Sequence, residues 1–61
     1  MKVVFYDKVK ETLKSVEDVK QIEVGYAMNN GRITKYWNVL TADMVSHSFK
    51  YKDYEMERVE G

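Results

Sequence analysis

The residues that could do chemistry are few. Ser46-His47-Ser48 holds the only histidine of the 61-residue chain. Nucleophilic catalysis needs an activated Ser or Cys with a base in reach. Neighbours on one strand point to opposite faces, so neither serine pairs locally with His47, which reads as a core-edge or interface residue. The chain has no Cys, and one His cannot build a zinc site. Its three glycines, Gly25, Gly31 and Gly61, form no phosphate-cradling loop. Asp43, Asp53, Glu55, Glu57 and Glu60 read as a solvated face, with Glu55 and Glu57 across from Lys50 or Ser48 in ordinary cross-strand pairs. So short a chain lacks room for a closed pocket of the usual ligand size. The expectation is a protein that is no enzyme, with no catalytic or metal residues and no cofactor.

Charge and aromatic content narrow the partners. Ten basic and ten acidic side chains cancel, which removes the global attraction to nucleic acid or anionic membrane. No apolar run approaches the length of a membrane span, and MKVVFYD lacks the apolar core of a signal peptide. The absence of cysteine fits an intracellular protein, and a cytoplasmic location is expected. Five Tyr, two Phe and Trp37 supply packing in a chain that has neither disulfide nor metal to staple it.

The element that organises the chain is the hairpin over Lys20–Leu40. Asn30-Gly31 suits a two-residue turn with positive φ at both positions. Pairing outward sets Met28 against Ile33, Tyr26 against Lys35, Val24 against Trp37 and Ile22 against Val39, nearly all apolar. Ala27–Thr34, Gly25–Tyr36 and Glu23–Asn38 occupy the other, mostly polar face. A turn at Ala42-Asp43-Met44 adds Val45, Phe49 and Tyr51 to the apolar face, opposite Thr41, Trp37 and Lys35. Trp37, between Val24 and Phe49, is therefore expected in the core. Lys2–Tyr6 reads as a strand apolar on both faces. In Tyr54–Val59 the alternation returns, with Tyr54 and Met56 facing in, and Glu60-Gly61 is expected to fray.

Residues 7–21 divide. Val9, Leu13 and Val16 recur at helical spacing above a charged face, with Asp7 as N-cap. The competing assignment turns at Asp7-Lys8-Val9 and returns a strand over Lys10–Ser15, with Leu13 opposite Val3 on the inner face. Val16, Val19 and Ile22 then anchor the bend into the hairpin. β-Branched residues and a lack of alanine weigh against the helix.

MKVVFYD, LKSVEDVKQIEV and FKYKDYEMERV, with the hairpin between the last two, resemble the short β proteins carried by phages and mobile elements of Gram-positive bacteria. The chain departs from them at Lys8 and Met44, where glycine would ease each turn. The resemblance implies an all-β fold and no established activity, and it favours the strand over the helix.

The expected architecture is thus one domain over residues 1–61. It is an all-β antiparallel meander or partly open barrel of five or six short strands; the alternative is α+β, with a helix at residues 8–19 on a four- or five-stranded sheet. The expected function is a non-catalytic protein-interaction module, as a phage-type accessory protein on a host factor or a homodimer. Its candidate surface is Tyr36, Leu40, Val4 and Tyr6, although Tyr36 could instead merely cover Gly25. The alternative is a single-stranded nucleic-acid-binding β domain using Lys35, Arg32, Lys50 and Lys52 around Tyr51 and Tyr36.

Overall fold

A computed structural model describes residues 1–61. Six strands follow in order: β1 (Lys2–Asp7), β2 (Thr12–Val16), β3 (Val19–Asn29), β4 (Arg32–Thr41), β5 (Ser46–Lys50) and β6 (Tyr54–Glu60). All pairing is antiparallel, in two three-stranded sheets ordered β2-β1-β6 and β3-β4-β5. The fold is all-β, without a helix and without closure into a barrel; residues 8–19 form a turn and a strand. No helix is long and apolar enough to cross a membrane.

The central hairpin has the register that its turn and alternation dictate, from Asn29–Arg32 out to Ile22–Val39. Asn30 and Gly31 take φ of 49° and 76°, the left-handed pair that twists with the strands. Beyond Ile22 a bulge at Lys20 bends β3 and turns Val19 inward. β5 pairs as the apolar stripe requires, Phe49 opposite Trp37 and His47 opposite Val39.

The first hairpin differs from expectation in register. Its loop is the four residues Lys8–Glu11, closed by Asp7 opposite Thr12, so Leu13 faces Tyr6, not Val3. The shift is odd in residue count, so every side chain changes face: Leu13 lies exposed outside, and Val16 takes the buried place opposite Val3. The Asp7 carboxylate selects this loop by accepting the N–H groups of Val9 (3.0 Å) and Lys10 (3.1 Å). Those two bonds, Lys10 first, hold its pKa below the ordinary aspartate value against the cost of its burial.

The last strand also departs from a simple meander. After Tyr51–Asp53 the chain crosses to the first sheet, where β6 runs beside β1 and not beside β5. Glu55 therefore lies opposite Tyr6, away from Lys50 and Ser48, and Glu60 is paired with Lys2 instead of fraying.

Phe5, wholly buried, joins the two layers. Its ring meets Phe49 at 4.9 Å and Trp37 at 5.9 Å between centroids. Val3 and Val16 from one sheet and Val19, Val39 and Phe49 from the other complete the core, with Ile22, Trp37, Tyr54 and Met56 at its margin. Trp37 is only half-buried; its indole N–H donates to the Tyr54 carbonyl at 3.1 Å. Met1 and Val19 tie one corner of the sandwich, the Val19 N–H donating to the Met1 carbonyl at 2.7 Å.

Candidate functional site

The four residues singled out as an interaction surface do not form one. Val4 and Tyr6 alternate with core residues Val3 and Phe5, so they lie on the outer face of the first sheet. Tyr36 and Leu40 alternate with Trp37 and Val39, on the outer face of the second. The two layers pack through their inner faces, so these pairs point to opposite sides of the molecule. Val4 is moreover only 1% exposed, and Tyr6, Tyr36 and Leu40 are half-buried. Nor does Tyr36 cover Gly25: the Asn38 side-chain amide lies over that glycine, and no Tyr36 atom comes within 4 Å of where its Cβ would be. Asn38 is steadied there by the Ser48 hydroxyl, which donates to its carbonyl oxygen at 2.9 Å.

The inner face of the second sheet is where exposure concentrates. β3 has 11 residues and β1 has 6, or roughly 36 Å against 20 Å at about 3.3 Å per residue. The shorter layer covers Val19, Ile22 and Val39 and stops. Beyond it Val24 is 42% exposed, Tyr26 68%, Met28 71% and Ile33 67%. These side chains share the face of the core and have nothing over them. Sequence alternation identified the stripe and assigned it wholly to the core; the signal for its exposure is the length mismatch between β1 and the hairpin.

Beside this stripe Arg32, Lys35, Lys50 and Lys52 line one cleft with Tyr51, Ile33 and Thr34, and no acidic side chain joins them. Tyr51 stacks on Trp37 with centroids 4.7 Å apart, and Lys35 Nζ sits 4.0 Å from the Tyr51 ring centroid. Tyr51 is thus engaged by an aromatic ring and by a cation.

At the other end, Lys14, Asp18, Thr41, Asp43, His47 and Phe49 lie around the largest concavity, about 660 Å³. His47 is exposed there, while Ser46 and Ser48 alternate onto the opposite face of β5. The Thr41 hydroxyl donates to Asp43, which with the Val45 N–H keeps that carboxyl below its ordinary pKa despite partial desolvation. These bonds shape the β4–β5 turn. No three His, Asp or Glu side chains converge on one point.

No protein-family model, curated protein or solved structure matches the chain.

Proposed function

We propose that the chain is a non-catalytic protein-interaction module that docks through the uncovered inner face of the β3–β4 hairpin. The observation that carries this is the contiguous exposure of Val24, Tyr26, Met28 and Ile33 on the core side of the sheet. Soluble monomers seldom leave such a patch on the side that faces their own core, and large patches rimmed by charge mark interaction sites. The resemblance to phage and mobile-element proteins adds, within the same proposal, a role as an accessory protein in a bacterial cytoplasm. A photo-crosslinking side chain at Met28 is expected to capture protein, and the same group at Ser48 on the outer face is not. No adduct at position 28, or equal capture at both positions, refutes the reading.

A second reading, single-stranded nucleic-acid binding, is favoured by the acid-free lining of the Arg32–Lys35–Lys50–Lys52 cleft. Against it, Tyr51, the one aromatic ring among the residues lining the cleft, is already engaged by Trp37 and Lys35. In a chain of zero net charge, counterion release supplies little beyond this cleft. A mobility shift with short oligonucleotides is expected to show no binding; micromolar binding that salt abolishes would reverse the ranking.

A further inference from the structure

The partner is identified by the edge of β3. Edge strands present unpaired N–H and C=O groups, and proteins guard them with short strands, charges and bulges. β2 and β5 have five residues each. β6 carries Glu55, Glu57, Arg58 and Glu60 and pairs through a bulge. β3 from Gln21 to Asn29 is long and regular, and it holds one charge, Glu23.

The bonding phase of that edge is fixed. The Tyr51 N–H bonds the Lys35 carbonyl at 2.9 Å, so Lys35 spends its backbone groups on β5. Tyr26, its partner across the hairpin, therefore points N–H and C=O away from β4. By alternation Ile22, Val24 and Met28 do the same, whereas Glu23, Gly25 and Ala27 bond β4.

We infer that β3 pairs antiparallel with β3 of a second copy, about a two-fold axis at Gly25, making one six-stranded sheet. This rests on the docking reading above and names its partner. A two-fold axis normal to the sheet keeps faces in common, so each register is centred on one residue. Centring on Glu23 opposes two like charges. Centring on Val24 brings the bulged Lys20 against Met28, and centring on Tyr26 shortens the ladder. Centring on Gly25 pairs the whole of residues 21–29: Ile22 with the partner's Met28, Val24 with the partner's Tyr26, Glu23 with the partner's Ala27, and Gln21 with the partner's Asn29. All apolar pairs fall on the uncovered face, and no like charges meet. Both short sheets then lie on the same side, so each bare hairpin end sits beside the half that the partner's own short sheet covers. The exposed Val24, Tyr26 and Met28 stand on the paired strand and flank the seam in both copies, while Ile33 lies one strand away on β4.

The test uses the unmodified chain. Sedimentation is expected to give twice the 7.2 kDa mass at high concentration. Amide exchange followed by NMR under the same conditions is expected to be slow at Ile22, Val24, Tyr26 and Met28, and to accelerate at least tenfold on dilution to monomer. Gly25 and Ala27 stay protected throughout, because their N–H groups bond β4. Tyr26→Lys is expected to abolish the concentration dependence, and Tyr36→Lys on the outer face to leave it. A chain that stays monomeric at millimolar concentration overturns the inference. So does a dimer in which the four edge amides exchange as fast as in monomer. If the chain is monomeric while the Met28 crosslinker captures a different protein, the docking reading stands and this one falls.

Discussion

The two halves of the β3–β4 hairpin carry the same alternating pattern and meet different fates. Near its base Ile22, Trp37 and Val39 pack on Phe5 and Val3. Toward its tip Val24, Tyr26, Met28 and Ile33 continue the same face and are bare. Alternation records which face is apolar; it does not record how far the covering layer extends. The first half holds the core together, and the second is left uncovered.

Substitutions should separate the halves by size of effect. The largest is expected at Phe5, where truncation to Ala leaves a void among Trp37, Phe49 and Val39. Such changes cost about 3–5 kcal/mol, and in a domain with nine buried residues the chain should lose its cooperative melt. Circular dichroism on heating measures this, and a near-native melt would remove Phe5 from the centre of the core. Met44 is next, at φ 67° in the β4–β5 turn. Left-handed backbone costs an L residue roughly 1–2 kcal/mol, so Met44→Gly should stabilise by up to about 1 kcal/mol after the added freedom of the unfolded chain. Urea denaturation reads it out.

Acid should act on the first hairpin through Asp7. Its folded pKa is lowered from the ordinary 3.8, so its contribution is complete above that value and is lost as pH falls through the lower folded one. Asp7→Asn should flatten the fall in melting temperature below pH 4 without altering exchange at the hairpin tip. The smallest effect is expected from Tyr26→Lys in dilute solution, within about 0.5 kcal/mol of the parent chain, as for exposed positions generally.

Turn chemistry made the hairpin legible: Asn30-Gly31 admits one loop length, and alternation then fixes each pair down to Ile22–Val39. Phe49 opposite Trp37 followed from the same stripe. The first hairpin was less legible because Asp7 served both as a helix N-cap and as the acceptor closing a four-residue loop. Lys8, without glycine, gave no marker, and the left-handed residue of that loop is Glu11, at φ 56°. The return of β6 to β1 was hidden for another reason. Tyr54 and Met56 face inward whichever strand they adjoin, so periodicity does not choose the neighbour. The surface expected at Tyr36, Leu40, Val4 and Tyr6 assumed that residues off the core stripe of two strands share a face, which holds within one sheet and fails across a sandwich.

Methionine oxidation tests the contrast between the halves most directly, because the chain carries its own references. Met28 and Met44 are about equally exposed, at 71% and 66%, whereas Met56 packs against the core. Limited peroxide treatment with mass spectrometry, run across protein concentration, compares all three in one sample. At high dilution Met28 and Met44 should oxidise at similar rates and Met56 more slowly. As concentration rises, Met28 alone should become protected. A Met28 as slow as Met56 at high dilution would mean that the hairpin tip is covered within the chain. A Met28 that tracks Met44 at every concentration would mean that no second copy covers it.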